Sequence, residues 1–440
     1  MRSKNLIVAA SVAAALAGTT SAFALNPTVT AAIPADHTLI VAGASAARDA
    51  VEAIFNDTRV CVAGTVTRFR ASASNTPDLR AYSCTLATGT PYFNDSVEGD
   101  NVVVYYRSEG GSVWGPGAIA KNVPVARLVV NANCTLSESP NYICAVNGYT
   151  LSNDGTVGAT GNITRTAVQL GVADLEPTMF VGANWPEPGT QLGNQPSANA
   201  LAALPAVPVF GQTFGVIVPT GSNITNLTTQ DITSIFTGNY GDWSQVRGSN
   251  TSGPITICRR ERGSGTQTGA EVFFNGANCS PAALSFVHST DNPPIFGNTV
   301  IENSTSGSLA TCVVNNPGSI GIAVANTAPT NTKFVTIDGI PANHNTAATG
   351  QYPYWFEATM TKASGLVATV GLLADGLIAA VQDDGSVPNV LSAFALSGLG
   401  PISAPNVPSI TAAEQPTRPI ALARRGSTAG NSCQKPQAQN

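Results

Sequence analysis

Short apolar runs alternate with segments of helical apolar spacing along most of this 440-residue chain. Residues 38–41 are typical of a buried strand, Gly43-Ala44-Ser45 is typical of a tight turn, and residues 46–55 have a helical pattern. Residues 213–218 form an apolar run of the kind found in fully buried strands. The repetition of strand, turn and helix predicts an α/β protein.

The same patterns predict the remaining elements. Further strands are expected at residues 101–106, 125–130, 166–173, 255–258 and 319–325. Helices are expected at residues 228–236, 267–274, 365–381 and 390–396. Thr228-x-x-Asp231 has the form of a capping box at the start of the first of these helices. Residues 186–207 are rich in Pro, Gly, Asn and Ala, which favours a linker or the edge of a helix.

The N-terminal 24 residues have the pattern of a secretory signal peptide. Met1-Arg2-Ser3-Lys4 is basic, residues 6–17 are apolar but too short to span a bilayer, and Ala22-Phe23-Ala24 is a cleavage site. A mature chain that begins at Leu25 would lack the cysteine of a lipid anchor and any other long apolar stretch. A periplasmic or secreted protein without membrane insertion is therefore expected.

Composition narrows the functional classes. Only 11% of the residues are charged, the net charge is −5, and glycine and proline are abundant (42 and 29). This balance is typical of a turn-rich exported protein and argues against a coiled coil, a disordered chain or a nucleic-acid binder. A monomer is expected.

Eight cysteines indicate an oxidising compartment. Pairing of nearest neighbours gives Cys61–Cys84, Cys134–Cys144 and Cys258–Cys279, and leaves Cys312 with Cys433. Only Cys134–Cys144 encloses a loop short enough to single it out among the possible connectivities.

Metal, cofactor and triad chemistry find no support in the motifs. There is no Cys-x-x-Cys, and His37, His288 and His344 are far apart in the sequence. Ser264 lies outside any Gly-x-Ser-x-Gly elbow and has no histidine that can be assigned as its base. We therefore expect no cofactor, no metal and no enzymatic activity.

The segment from Arg259 to Thr266 is the strongest chemical signal. It follows a predicted strand, contains Gly263-Ser264-Gly265, and precedes a predicted helix, so arginines, hydroxyls and helix N–H groups converge. This combination indicates an oxyanion site, although a Ser-Gly-Thr sequence before a helix is also ordinary N-capping chemistry.

Several segments occur in an order that matches a known family. They are Gly43-Ala44-Ser45, Gly215-Val216-Ile217-Val218-Pro219, Asn226-Leu227-Thr228, Ile235-Phe236-Thr237-Gly238 running to Asp242-Trp243, Arg260-x-x-Gly263-Ser264-Gly265-Thr266, and Asn316-Pro317-Gly318-Ser319-Ile320-Gly321. In this order they resemble the phosphate-binding proteins of bacterial ABC importers, which are periplasmic binding proteins of the second topological type. The resemblance implies a two-lobed α/β fold in which each lobe is a mixed β-sheet flanked by helices.

The resemblance also implies ligand-binding residues. The first loop gives Ser45 and Ala46, where the family often has an aromatic residue at the second position. The second loop gives Ser108, together with Gly110, Gly111 and Ser112. Asp174 takes the acidic role, in which a carboxylate accepts a hydrogen bond from a protonated phosphate oxygen and repels sulfate. The lobe-two turn gives Arg260, Ser264, Gly265 and Thr266.

One position departs from the family pattern. An Asp commonly follows the ligand-binding arginine by two residues and orients its guanidinium, whereas this chain has Arg262. Arg262 either faces solvent or contacts a ligand with additional negative charge, such as a phosphoester. Glu261 or Glu176 is a candidate for the orienting role.

The predicted organisation follows from these assignments. It comprises a signal peptide (1–24), lobe one (25–207) with a disulfide-containing insertion (about 61–165), lobe two (208–334), the second part of lobe one (335–411) and a polar tail (412–440). The predicted function is the capture of phosphate or a related tetrahedral oxyanion between the lobes, for uptake through an ABC permease. The alternatives are a secreted phosphatase or phosphoester-binding protein on the same scaffold, and an extracellular surface protein that has lost its ligand.

Overall fold

A computed structural model describes residues 24–71, 78–146, 163–186, 190–276, 286–289, 297–325, 329–348, 351–382 and 393–394. Most of the predicted signal peptide, the polar tail, Cys279 and Cys433 lie outside these residues. In the described part of the chain, no helix combines the length and apolarity needed to cross a bilayer.

The described part of the chain contains both strands and helices. The strands are β1 Thr38–Gly43, β2 Thr67–Ala71, β3 Leu79–Thr85, β4 Asn101–Arg107, β5 Pro124–Leu128, β6 Thr135–Glu138, β7 Asn141–Cys144, β8 Ile163–Ala167, β9 Leu170–Ala173, β10 Ala206–Pro219, β11 Asn226–Leu227, β12 Thr256–Arg260, β13 Thr299–Asn303, β14 Ser319–Val324, β15 Thr332–Phe334, β16 Thr336–Ile337, β17 Trp355–Lys362 and β18 Ala393–Phe394. Several strands come in succession at β2 to β4 and at β5 to β9.

The α-helices of the same residues are mostly short. They are α1 Pro27–Ala31, α2 Arg48–Ala53, α3 Pro116–Lys121, α4 Ala198–Ala202, α5 Thr229–Phe236, α6 Gly265–Asn275, α7 Ser306–Asn315, α8 His344–Ala348 and α9 Ala368–Gln382. The predicted capping box is confirmed, because the Thr228 and Asp231 side chains each accept from the other's backbone N–H at the start of α5.

A mixed sheet joins most of these strands, in the order β13-β12-β14-β10-β17-β9-β1-β4-β3-β2-β7-β6. The predicted α/β fold class, with mixed sheets flanked by helices, is confirmed. Strand β10 divides the sheet, because its first half pairs with β17 and its second half with β14 and β15. We call the strands from β17 to β6 sheet region one, and β14, β12 and β13 sheet region two.

The direction of the strands brings two sets of loops together. In region one, β9, β1 and β4 are parallel neighbours, and in region two β13, β12 and β14 are parallel neighbours. The carboxyl ends of parallel strands lie at one edge of a sheet, where α/β proteins place their ligand loops. Residues after β1, β4, β9, β12 and β13 therefore converge.

Residues 61–165 form ordered sheet structure in their described part. Strand β4 pairs with β1, and β3, β2, β7 and β6 extend the sheet beyond it. Their inner face packs around Phe69, Tyr105 and Leu128 in a separate apolar cluster. The region is thus a continuation of the main sheet with its own core.

Three disulfides lie in the described residues: Cys61–Cys84, Cys134–Cys144 and Cys258–Cys312. The first two agree with nearest-neighbour pairing. The predicted Cys258–Cys279 pair is wrong, and with it the assignment of Cys312 to Cys433. Helix α7 crosses the face of β12 and packs Cys312 into an apolar cluster with Cys258, so proximity in space overrides proximity in sequence.

Several element boundaries differ from the predictions. Helix α2 begins at Arg48, which leaves Ser45 and Ala46 in the turn before it. The strand predicted at 166–173 is divided into β8 and β9. Strand β10 begins inside the predicted linker, at Ala206. The helix predicted at 390–396 is wrong at Ala393 and Phe394, which form β18 and pair with β10.

Candidate functional site

Arg260, the last residue of β12, lies at the centre of the converging loops and is almost fully buried. Main-chain carbonyls fix its guanidinium: Nε donates to Asn303 O (3.0 Å) and Nη2 to Ser304 O (2.9 Å). Nη1 points across to region one and donates to Ser45 Oγ (3.1 Å). Burial lowers the pKa of Arg260 from its ordinary value, although the group remains a cation at neutral pH.

The N-terminus of α6 lies beside this arginine. Ser264 is the N-cap, and its Oγ accepts from Gln267 N at 3.4 Å. Gly265 N donates to Ser112 Oγ across the two regions (3.1 Å). A Cβ at Gly265 would lie 2.5 Å from that oxygen and 2.7 Å from the Asp174 Cβ, so only glycine permits this approach.

Asp174 follows β9 and brings a carboxylate into the same cluster. Its Oδ2 accepts from Ser112 Oγ (3.0 Å) and Thr266 Oγ1 (3.4 Å), whereas Oδ1 is buried and has no hydrogen-bond partner within the described part of the chain. Burial raises the pKa of Asp174 to about 6, against the hydrogen bonds of Ser112 and the positive charge of Arg260. A buried carboxylate oxygen without a donor is costly, and it fits a ligand that carries a hydroxyl group.

A second acid, Glu261, is half-buried close to this cluster. Its Oε1 atom is buried and has no hydrogen-bond partner among the described residues, and desolvation raises its pKa to about 7 against the positive charges of Arg260 and Arg107. Arg107 ends β4 in region one and stacks on Trp114, with its guanidinium carbon 4.3 Å from the ring centroid. The cluster therefore combines two buried arginines with one buried and one half-buried carboxyl group.

Backbone contacts fix the two regions against each other. Gly111 has a φ of 84°, and a Cβ there would lie 2.6 Å from Gly263 O. The same oxygen accepts from Val113 N at 3.0 Å, and Gly263 N donates to Asn184 O at 3.1 Å. The absence of a side chain at Gly111 is therefore what permits the close contact.

Not every predicted residue joins the cluster. Ser108 is buried, but its N–H and hydroxyl donate to Asp78 O (3.0 and 3.4 Å), so it belongs to the neighbouring group around Asp78. Ala46 is buried, and its carbonyl accepts from Gln212 Nε2 (2.7 Å). Of the second predicted loop, Ser112 is the residue that contacts Asp174. Ser45, Asp174, Arg260, Ser264, Gly265 and Thr266 are brought together.

The sequence analysis missed Asn303 and Ser306. Ser306 begins α7 and its Oγ lies 3.1 Å from Ser45 Oγ and 3.2 Å from Arg260 Nη1. The signal was present: a β-branched run, Thr299-Val300-Ile301, comes shortly before Thr305-x-x-Ser308, which caps the start of α7. The orienting role, for which Glu261 and Glu176 were candidates, is taken by main-chain carbonyls. Asn303 O and Ser304 O hold the guanidinium of Arg260 where the family commonly has a carboxylate.

Within the described ranges, no group of three or more His, Cys, Asp and Glu side chains is arranged to hold a metal ion. His37 pairs with Asp36 and Asp100 (2.9 Å each), and His288 lies 3.1 Å from Glu302. His344 lies at the start of α8.

Comparisons with known proteins give partial matches. An alkaline phosphatase L from Pseudomonas aeruginosa is 35% identical over 131 residues, which are 28% of this chain and 30% of that protein. A phosphate-binding protein from an unknown prokaryotic organism is 27% identical over 143 residues, 32% of each chain. The chain thus spans about a third of the length of these curated relatives.

A solved phosphate-binding protein from Stenotrophomonas maltophilia aligns with 81% of this chain and 90% of its own, at 14% identity and a TM-score of 0.45. The family model of the PBP superfamily domain matches residues 197–391, which hold β10, the Arg260 turn and α6 to α9. This match covers fewer than half of the 440 residues and agrees with the type of protein that the motifs predict.

Proposed function

We propose that the protein is an exported, non-enzymatic solute-binding protein that captures inorganic phosphate between its two sheet regions. The observation that carries the proposal is a cluster in which Arg260 from region two and Asp174 from region one are both buried. Arg260 bonds the hydroxyls of Ser45 and Ser306, and Asp174 bonds those of Ser112 and Thr266. In this proposal the two regions are the two lobes, and an ABC permease is the partner.

The donors of the cluster suit a tetrahedral oxyanion. Arg260 Nη1, the hydroxyls of Ser45 and Thr266, and Gly265 N are hydrogen-bonded within the cluster, mostly across the two regions. An anion bound here would accept these hydrogen bonds instead. The guanidinium would supply the charge, and the N-terminus of α6 would add N–H groups without a formal charge.

Asp174 would provide selectivity for phosphate over sulfate. At pH 7.5 it is mostly ionised, because its pKa is about 6. Its partnerless Oδ1 can accept a hydrogen bond from a P–OH group, whereas fully ionised sulfate has no proton to donate and would face an uncompensated negative charge.

Capture would be coupled to closure of the lobes. The Ser45–Arg260, Ser112–Gly265 and Val113–Gly263 contacts all cross between the regions and so require the closed arrangement. A ligand that binds both sides would shift the population toward that arrangement, which a permease would recognise.

The test is isothermal titration calorimetry of the mature, phosphate-free protein at pH 7.5 with phosphate and with sulfate. We expect micromolar or tighter binding of phosphate and no heat with sulfate. Asp174→Asn is expected to narrow the difference between the two anions. Absence of phosphate binding to folded protein would overturn the proposal.

The match to an alkaline phosphatase over 131 residues raises hydrolysis as a second candidate. The same preparation, assayed with p-nitrophenyl phosphate with and without added Zn²⁺, Mg²⁺ and Ca²⁺, separates the two. Hydrolysis by wild type that is lost in Arg260→Gln would mean that this cluster is an active site. Tight phosphate binding without hydrolysis by wild type would support capture alone.

A further inference from the structure

A groove on the outer face of region one has an unusual concentration of arginine. Its cavity of about 240 Å³ is lined by Glu52, Arg68, Arg70, Arg80, Tyr82 and Asn141, among others. With Glu138, which also lines it, the groove carries three arginines and two glutamates. It is therefore positively charged on a chain whose net charge is −5.

The register of the strands fixes the arginines on one face. Arg70 of β2 is directly opposite Arg80 of β3, and Arg68 lies two residues before Arg70. Residues opposite each other on antiparallel strands have Cβ atoms about 5 Å apart, and like charges in this position are destabilising. Alternate residues of a strand share a face, so Arg68 joins the same pair.

Two acids beside these arginines, Glu52 and Asp78, already pair with them, whereas Glu138 is exposed. Glu52 accepts from Arg80 Nη1 (2.9 Å), Arg68 Nε (3.2 Å) and Tyr82 OH (3.1 Å). Asp78 accepts from Arg80 Nε (2.9 Å) and also pairs with Arg48. These contacts hold the Arg68 and Arg80 side chains in place beside the exposed Arg70.

Arg70 differs from Arg68 and Arg80 in that neither Glu52 nor Asp78 pairs with it. It is exposed, and no hydrogen bond or ion pair with another described residue engages its guanidinium, so its N–H groups are available to a ligand in the groove. A fork of this kind next to a second, fixed fork is the arrangement that binds phosphate groups bidentately.

We propose that this groove is a second anion site, which binds linked phosphate groups of the pyrophosphate type. Arg70 and Arg80 bracket one phosphate group from neighbouring strands, and Arg68 reaches the next. The anion offsets the repulsion between Arg70 and Arg80. The carboxylate of Glu52 does not do so, because it is already shared by Arg68, Arg80 and Tyr82. The site is separate from the Arg260 cluster and does not depend on the function proposed there.

The test is a calorimetric titration of the mature protein with inorganic pyrophosphate, carried out on wild type and three variants. Arg70→Gln is expected to weaken binding by about tenfold or more, since hydrogen bonds to a charged group are worth that much. Arg70→Lys, which keeps the charge but loses the fork, is expected to fall in between. Arg260→Gln is expected to leave the Arg70-dependent binding intact.

Arg247→Gln is the matched control, because Arg247 is an exposed arginine elsewhere on the chain. Thermal melting verifies that each variant is folded. Sedimentation with phosphatidic-acid vesicles distinguishes a lipid phosphate from a soluble one. If wild type sediments with the vesicles and Arg70→Gln does not, the groove binds the phosphate of a lipid headgroup. The proposal is overturned if neither ligand binds, if pyrophosphate binding is lost only in Arg260→Gln, or if Arg247→Gln weakens it as much as Arg70→Gln.

Discussion

The Arg260 cluster and the Arg70 groove use the same residue types in opposite ways. In the cluster, main-chain carbonyls orient the arginine, and burial raises the pKa of Asp174 and Glu261. In the groove, carboxylates pair directly with arginines. Burial would raise the pKa of Asp78, but Arg48 and Arg80 outweigh it and hold the pKa at about 2.

The difference shows that the charge of the hydrogen-bond partners, more than burial, decides whether an ionised carboxyl group stabilises or destabilises the fold. Asp78 meets guanidinium groups and stabilises the fold as an anion. Asp174 meets hydroxyls and has one oxygen without a partner, so the folded protein favours its protonated form. A group that costs stability in this way is typical of a functional site.

The largest expected effect is in the cluster. Arg260→Gln removes the positive charge that β12 places in the cluster and leaves the carbonyls of Asn303 and Ser304 with a weaker donor. Truncating a buried charged partner costs about 2–5 kcal/mol, so phosphate affinity should fall at least about 30-fold. Calorimetry with Arg247→Gln as control measures this, and unchanged affinity would remove Arg260 from the site.

The second effect concerns pH. The folded-state pKa of Asp174, about 6, lies above the unfolded value of about 3.9, so ionisation destabilises the fold above pH 6 and the cost disappears as the pH falls toward 4. Asp174→Asn avoids this cost. The free energy of unfolding of the variant should exceed that of wild type by roughly 2–3 kcal/mol at pH 7.5 and by little at pH 4. Urea unfolding in phosphate-free buffer tests it; a difference independent of pH contradicts the assignment.

The smallest effect concerns Asp78, whose pKa is shifted in the direction opposite to that of Asp174. Asp78 has its pKa lowered in the folded state, so its contribution is present above pH 4 and is lost as the pH falls toward 2. Asp78→Asn should reduce the free energy of unfolding by about 1–2 kcal/mol at pH 7 and by less at pH 3. If the loss is equal at both pH values, the Arg48 and Arg80 pairing is not its source.

Local chemistry was predictable from the sequence where one segment holds all the partners. The capping box of α5 and the N-cap of α6 each lie within four residues, and the order of the motifs agrees with the superfamily whose model matches residues 197–391. The carboxyl-end position of Asp174 also followed from a recognisable strand. These signals need no knowledge of the tertiary fold.

Long-range partners were not predictable in this way. The orientation of Arg260 depends on Asn303 and Ser304, more than forty residues away, and Cys258 pairs with a helix that reaches it only through a crossover. Ser108 was preferred to Ser112 because a loop sequence does not reveal which hydroxyl faces the neighbouring sheet. The groove escaped notice because its charges gather only when β2 and β3 pair.

Strand β10 has a consequence for how the molecule melts. Its fourteen residues belong to both sheet regions, and its hydrogen bonds run to β17 and β18 at one end and to β14 and β15 at the other. Neither region can lose its order without exposing backbone groups of a strand that the other still needs. We therefore expect the two regions to unfold as one cooperative unit.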